Sequence, residues 1–277
     1  DILTKKIKCE INLRKYLIYV LLATICDVMP LRKLNRLIAK IALNEFDFNE
    51  NQAFKELYKL TNKKNKINID DLGYLIGPIL NSGGRLGKSS YATELLSSEN
   101  HESIYKKSLK LIALNEKRKK IEAMTLKSIN FDIIEKENKD IILYYDPNIN
   151  EGLIGIIAAR LKDYFNKPSI VITTSNNLLK ASGRSTSTYN IGNLIKSLID
   201  SKIIEKGGGH NMAAGFSMKK NKLKNLIDFI LQDFDLKNKN LSLDNTYDAE
   251  ISLSAINKDF TNEINKLGPF GNGNPIP

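Results

Sequence analysis

Apolar positions along the chain follow two spacings, and together they predict an α/β protein. A continuous apolar run, Leu17 to Ile25, predicts a buried element of an α/β sheet, with Asp27 at or near its C-terminal end. Apolar residues recur at helical spacing in residues 34–43, 54–60 and 90–96, and residues 61–66 form a polar connector. The first hundred residues therefore predict a mostly helical segment around one buried element.

A long helix is predicted next, because the segment from Ser103 to about Lys136 contains neither Gly nor Pro. Its apolar residues recur at roughly helical spacing, and the opposite face is polar. This pattern is typical of a helix that bridges two domains.

A second α/β unit is predicted after this helix. Asp140–Tyr145 predicts a strand, residues 153–165 a helix and Pro168–Thr173 a second strand, which is the pattern of a parallel crossover. Two further helices are predicted at residues 191–199 and 223–234, and a strand at Gly215–Met218.

A glycine run, Gly207-Gly208-Gly209-His210, stands between these elements and is followed by Asn-Met-Ala-Ala-Gly. Glycine lets backbone N–H groups face a ligand without a Cβ in the way. We expect a turn whose following helix packs closely on a sheet and presents its N-terminus to an anion. The alternative is a tight turn with a buried, hydrogen-bonded histidine.

Composition adds little to this picture. The 277 residues carry a net charge of +11 with a pI near 9.4, which suits a polyanionic partner such as nucleic acid. Most of the excess is lysine, in a chain also rich in Asn and Ile, so the charge is weak support. Two cysteines fit neither a disulfide scaffold nor a structural zinc site and indicate a reducing compartment, the cytoplasm. No apolar run reaches the ~20 residues of a membrane helix.

Three places carry candidate chemistry. Asp27 is a candidate Mg²⁺ or Mn²⁺ ligand, although for this residue taken alone a helix cap or a turn before Pro30 is the favoured explanation. Asn81 and Arg85 lie four residues apart in a predicted loop of small residues, and Arg can grip a phosphate with two donors. Ser182-Gly183-Arg184 repeats this combination. The alternative for each arginine is a surface side chain without a ligand.

Several strings, in one order along the chain, resemble the DHH phosphoesterase family and, within it, the RecJ-type single-strand-specific exonucleases. Residues 22–31 look like the fourth phosphoesterase motif, and residues 77–87 like the loop that closes the catalytic domain. Residues 151–161, 182–185 and 208–215 look like successive blocks of the DHH-associated domain. Residues 267–275 look like the entry to an OB-fold domain.

The resemblance implies four segments and a role for the candidate residues. Residues 1–100 would end the catalytic domain, 101–137 form the bridging helix, 138–236 the DHH-associated nucleic-acid-binding domain, and 237–277 a linker and the start of the OB fold. Asp27 would be catalytic, as the ligand of Mn²⁺ or Mg²⁺. Single-stranded DNA would pass between the domains and be held by a set of binding residues: Asn81, Arg85, Ser182, Gly183, Arg184, Gly208, Gly209 and His210.

The implied function is 5′→3′ hydrolysis of single-stranded DNA in recombination and repair, by a cytoplasmic monomer that works with a helicase and a single-strand-binding protein. Three departures from the family pattern bear on activity. The DHH triplet is absent, so most of the metal site is expected before Asp1; Asn150 stands where a His is usual, and Ile79 where an Arg is usual. The alternatives are an oligoribonuclease or nucleotide phosphatase of the same family, a non-catalytic nucleic-acid-binding remnant, and an associated domain like that of a tRNA synthetase.

Overall fold

The computed structural model describes residues 12–237 and 247–277. The chain divides into two compact units. The first contains residues 12–115 together with 247–277, and the second contains residues 116–237. Each unit has its own hydrophobic core.

Helices and five strands make up both units. In chain order they are α1 (Leu17–Cys26), α2 (Lys33–Asn44), α3 (Gln52–Leu60), a π-helical turn (Asp71–Ile76), α4 (Gly77–Leu86), α5 (Ser90–Leu96), α6 (His101–Ser128), α7 (Phe131–Glu137), β1 (Ile142–Tyr145), α8 (Ile154–Phe165), β2 (Ser169–Ser175), β3 (Leu178–Arg184), α9 (Ile191–Asp200), β4 (Lys206–His210), β5 (Ala213–Lys219), α10 (Leu223–Lys237) and α11 (Lys258–Lys266).

The first unit is helical, which corrects the prediction of a sheet element at Leu17–Ile25. This run forms α1, whose residues Ile18, Leu21 and Leu22 are buried in the core together with Phe54. Thr24 inside the helix donates to the carbonyl of Val20, 2.8 Å away, so its hydroxyl is satisfied within the helix. A run of nine residues that is apolar except for Thr24 carries no clear periodicity, so the sequence alone does not separate a strand from a buried helix.

The small-residue segment around Asn81 is also a helix rather than the predicted loop. Pro78 is the second residue of α4, which continues directly from the π-helical turn. Ser82 is buried and donates to the carbonyls of Ile79 and Leu111 at 2.6 and 3.0 Å. A Cβ on Gly83 would lie 3.2 Å from Leu111 Cδ2. The small residues therefore serve close packing of α4 against α6.

A C-terminal turn, residues 271–274, packs on the loop that joins α1 to α2. The amide of Leu31 donates to the carbonyl of Asn272 at 2.7 Å, and the Asn272 side chain donates to the carbonyl of Val28. Arg32 and Arg36 donate to the carbonyls of Gly273 and Leu267. In the described residues 247–277 we find one α-helix, α11, a short 3-10 helix (Leu253–Ala255) and a single bridge between Gly271 and Asn274. The start of an OB fold there stays a prediction.

The second unit contains a five-stranded mixed sheet in the order β1-β2-β3-β5-β4. β1 and β2 are parallel and joined by α8, which confirms the predicted crossover. All other neighbours are antiparallel. Helix α8 packs on one face, where Ile157, Ala158 and Leu161 meet Val171. Helices α9 and α10 cover the other face through a larger apolar cluster.

The predicted long helix is present as α6, with 28 residues, and ends sooner than expected. Asn130 has an extended backbone, and its side chain accepts from the amide of Ile133 at 3.1 Å. This N-cap starts the separate helix α7. Among the described residues we find no helix with the length and apolar character that a membrane crossing requires.

Candidate nucleic-acid interface

The glycine run is the edge strand of a hairpin, which corrects the expectation that a helix follows it. Lys206–His210 form β4, and Ala213–Lys219 return as β5. The hairpin turn is held from two sides. The amide of Ile191 donates to the carbonyl of Asn211 at 3.2 Å, and the amide of Ser185 donates to the carbonyl of Met212 at 2.9 Å.

The strand register places several predicted residues on one face of the sheet. Directly paired residues on neighbouring strands point to the same face. Ser182 and Gly208 both pair with Gly215, and Arg184 and His210 both pair with Ala213. These two rows lie on the face that α8 covers only in part, because α8 contacts β2 and β3. Over β5 and β4 the face is open, and all five residues of β4 are exposed.

Four of the five glycines in β3, β4 and β5 differ in what a side chain at their position would meet. A Cβ on Gly183 would overlap with Ile191 Cδ1, and one on Gly209 would lie 2.5 Å from the carbonyl oxygen of Ala213. A Cβ on Gly207 would lie 2.9 Å from Ile195 Cγ2. A Cβ on Gly208 would meet nothing within 4 Å. Packing therefore accounts for Gly183, Gly207 and Gly209, whereas Gly208 leaves open space above the exposed face.

Arg184 stands at the border between the covered and the open part of this face. Its Nη1 donates to Ser182 Oγ at 3.1 Å and to the carbonyl of Gly183 at 2.8 Å. Burial lowers the pKa of its guanidinium below the ordinary value of arginine, which still leaves it charged at neutral pH. The guanidinium lies beside Gly155, in the first turn of α8, where the helix dipole is also positive. This combination favours an anion.

His210 is exposed on the same face. Its Nδ1 accepts from the amide of Met212, 3.3 Å away. In the neutral ring the proton is then on Nε2, which can donate to a phosphate or to a base edge. The backbone of His210 is approached closely by α9, since a Cβ on Gly192 would lie 3.0 Å from the His210 carbonyl carbon.

Sequence reasoning missed the next row of the same face. Lys180 and Lys206 both pair with Ser217, so two ammonium groups and a hydroxyl lie one row from Ser182. Lys180 contacts the Glu151 carboxylate at 2.6 Å. The signal was present, because Lys180, Ser182 and Arg184 alternate with Leu179, Ala181 and Gly183, as expected of a strand with one polar face.

The remaining predicted residues lie in the first unit. Asp27 is the exposed C-cap of α1, at the end of a helix rather than of a strand. Asn81 and Arg85 lie one turn apart on α4, so their side chains share a helix face; Asn81 is exposed and Arg85 is half-buried. A Cβ on Gly84, beside Arg85, would meet nothing within 4 Å.

A complete metal site is not present in the described part of the chain, where no three His, Cys, Asp or Glu side chains are grouped to hold an ion. Asp27 would contribute a single carboxylate, whereas Mg²⁺ and Mn²⁺ prefer several oxygen ligands. The residues at hand therefore do not by themselves fit a catalytic metal.

Comparison with known families identifies the second unit. Residues 138–235 match the model of the DHHA1 domain. This segment contains β1 to β5 with helices α8, α9 and most of α10.

Similarity to curated proteins extends over nearly the whole chain. The chain is 30% identical, over 279 aligned residues and 96% of its length, to the single-stranded-DNA-specific exonuclease RecJ of Haemophilus influenzae. It is 30% identical to RecJ of Bacillus subtilis over 264 residues and 92% of its length. It covers 48% and 33% of these two relatives, so the chain spans between a third and a half of their length.

Solved structures agree on the fold. RecJ from Thermus thermophilus, crystallised in complex with Mn²⁺, superposes with a TM-score of 0.85 over 99% of this chain and 41% of its own, at 21% identity. A Mg²⁺ complex of the same enzyme gives a TM-score of 0.82. The chain thus has the fold of a RecJ segment.

Proposed function

We propose that this chain, which is RecJ-like in sequence and fold over nearly its whole length, is the DNA-holding part of a 5′→3′ single-stranded-DNA exonuclease. The whole enzyme would hydrolyse phosphodiesters with Mn²⁺ or Mg²⁺ in recombination and repair. In this chain, the open face of the second unit would hold the DNA strand. Asn81 and Arg85 of the first unit are proposed as further DNA-binding residues.

The observation that carries this proposal is the row structure of the open face. Arg184 and His210 offer charged or polar donors, Ser182 offers a hydroxyl, and Gly208 leaves the backbone accessible. Lys206 adds an ammonium group one row further, beside Lys180, which is paired with Glu151. A surface of cations and small residues suits a sugar-phosphate backbone, which contributes most of the affinity in binding that does not depend on sequence.

Binding of a 5′-phosphorylated single-stranded oligonucleotide, followed by fluorescence anisotropy, tests the proposal. We expect the affinity to fall as salt increases, and Arg184→Ala to weaken binding and to reduce the slope of log K against log salt by about one. Lys224→Ala, at an exposed lysine of α10 on the other side of the sheet, also removes one positive charge and serves as the matched control for a general charge effect. Salt-independent binding, or full affinity in Arg184→Ala, would contradict the proposal.

Catalysis is tested separately with the same oligonucleotide and Mn²⁺. Asp27 is the candidate metal ligand of this chain, and a single carboxylate does not complete a Mn²⁺ or Mg²⁺ site. We therefore expect binding without release of nucleotides from the 277-residue chain. Release that is abolished by Asp27→Ala would show that the chain assembles a complete centre, and our expectation of an incomplete one would be wrong.

The preferred substrate distinguishes the proposed exonuclease from the main alternative, an oligoribonuclease or nucleotide phosphatase of the same family. Three rows of donors along the face fit several consecutive phosphates better than a single nucleotide. We expect a DNA single strand of ten or more nucleotides, a length chosen from the site sizes of about 4–16 nucleotides in single-strand binders, to compete better than a dinucleotide. We also propose a cytoplasmic monomer that cooperates with a helicase and a single-strand-binding protein.

A further inference from the structure

Gly155, in the first turn of α8, is a residue to which the proposed function gives no role. Glycine inside a helix is less favourable than alanine, because it loses more conformational freedom on folding. Helix formation therefore does not explain its presence. Its φ lies outside the left-handed region, so backbone conformation does not explain it either.

The space above Gly155 is occupied by two groups of the open face. A Cβ at this position would lie 3.0 Å from Arg184 Nη2 and 3.0 Å from Ser182 Oγ. These contacts are tighter than ordinary van der Waals contacts, and both neighbours are side-chain ends rather than backbone. A methyl group would therefore displace the guanidinium and the hydroxyl while leaving the helix in place.

Two hydrogen bonds show why such a displacement matters. Arg184 Nη1 is held by Ser182 Oγ and by the carbonyl of Gly183. The guanidinium therefore has one edge fixed by the strand, while its Nη2 lies against the helix at Gly155. The missing side chain of Gly155 is what permits this arrangement.

We propose that Gly155 is a positioning residue of the nucleic-acid interface. It acts through Arg184 and Ser182, by letting the first turn of α8 approach them closely enough to fix the direction of the guanidinium. This inference rests on the proposed function of the open face and assigns it a further determinant on a different element.

The test is a double-mutant cycle of Gly155→Ala and Arg184→Ala on the full chain, with a 5′-phosphorylated single-stranded oligonucleotide as the probe. We expect Gly155→Ala to weaken binding by about threefold to tenfold, within the coupling range of residues in contact. In the Arg184→Ala background the same change should have an effect of less than about twofold, because its target is gone.

Thermal unfolding provides the readout that a purely structural role would move. We expect Gly155→Ala to melt at or above the temperature of the wild-type chain, since alanine favours the helix. Weaker binding with a lowered melting temperature, equal losses in both backgrounds, or unchanged binding would overturn the inference. If the wild-type chain does not bind the oligonucleotide, the proposed function itself is contradicted. If the wild-type chain binds, and Arg184→Ala weakens binding but Gly155→Ala does not, only the proposed role of Gly155 is contradicted.

Discussion

Ser182 of β3 and Gly208 of β4 pair with the same residue, Gly215 of the strand between them, and so share one row of the open sheet face. The two residues are 26 positions apart in sequence, and the strand order β3-β5-β4 places them in the same row across the sheet. Side chains along a strand return to the same face at every second residue. Rows of donors therefore repeat along the sheet at about 7 Å, twice the rise of one residue.

Gly208 and Gly209 are neighbours with opposite expected responses to alanine. Gly208→Ala should keep the free energy of unfolding unchanged or raise it slightly, because its Cβ meets open space, and should weaken binding of single-stranded DNA. Gly209→Ala should destabilise the chain by about 1–3 kcal/mol, the usual cost of overpacking, because its Cβ would meet Ala213 and Ala214. Denaturant unfolding and anisotropy on both variants measure the two effects. A loss of stability in Gly208→Ala would contradict the assignment of an open face.

Glu122 is expected to be the most important carboxylate for the stability of the second unit. Its side chain is 9% exposed and accepts from Arg118 Nη1 at 2.7 Å and from Arg160 Nε at 2.8 Å, which joins α6 to α8. Glu122→Ala should lower the free energy of unfolding by about 3 kcal/mol, the lower end of the cost of breaking a buried ion pair. Glu116→Ala removes an exposed i,i+3 pair with Lys119 and should cost less than about 0.5 kcal/mol. If Glu122→Ala and Glu116→Ala lower the free energy of unfolding by the same amount, the greater importance of the buried Glu122 is contradicted.

The lowered pKa of the Glu151 carboxyl leads to a prediction of how the stability of the fold depends on pH. Its hydrogen bond with Lys180, and next that with Ser175, lower the pKa of its carboxyl. A carboxyl whose folded pKa is lowered stabilises the fold above the unfolded pKa, and that contribution is lost as pH falls through the folded value. Glu151→Gln should therefore flatten the acid side of the stability curve below about pH 4, near the ordinary pKa of glutamate. Urea unfolding at pH 3 to 7 measures the free energy of unfolding across this range. If Glu151→Gln loses as much stability at low pH as the wild-type chain, the stabilising pair of Glu151 and Lys180 is contradicted.

Val28 is in a backbone conformation that disfavours its side chain. Its φ is 54°, in the left-handed region. Among the described residues this region also holds two lysines, Lys33 and Lys202, and five asparagines, Asn62, Asn138, Asn166, Asn176 and Asn177. Val28→Asn should raise the free energy of unfolding by about 1 kcal/mol, because a β-branched residue is strained there and asparagine is tolerated. Asn166→Val, at the end of α8 with φ 52°, should have the opposite effect. Chemical unfolding of both variants provides the comparison.

The sequence alone predicted the elements that have a clear apolar periodicity or short connections. The βαβ crossover and most of the long helix were predicted from apolar spacing and short connections. So were the helices at residues 191–199 and 223–234, which form α9 and most of α10. The residues of the open face were found because Arg184 and His210 stand next to glycines. Lys206 was not found, because no spacing rule indicates which strand pairs with which.

Three predictions failed for a common physical reason. The apolar run of α1, the small residues of α4 and the Ala-Ala-Gly of β5 each have a composition that suits more than one backbone. Tertiary contacts decided between the possibilities: Phe54 and its neighbours enclose α1, Leu111 accepts from Ser82 in α4, and β5 is paired on both sides. Such contacts join residues that are distant in sequence, and local propensity does not encode them.

The packing of the 271–274 turn on the loop after α1 has a consequence for biosynthesis. Asn272 is 244 residues beyond Val28, whose carbonyl accepts from its side chain. The amide of Leu31 donates to the carbonyl of Asn272. At translation rates of about 5–20 residues per second, the interval between the synthesis of these two residues is on the order of ten seconds or more. The sheet of residues 142–219 is synthesised within that interval. The loop after α1 thus completes its contacts only after the whole sheet has been synthesised, and a nascent chain stalled before residue 267 would leave the amide of Leu31 without this acceptor.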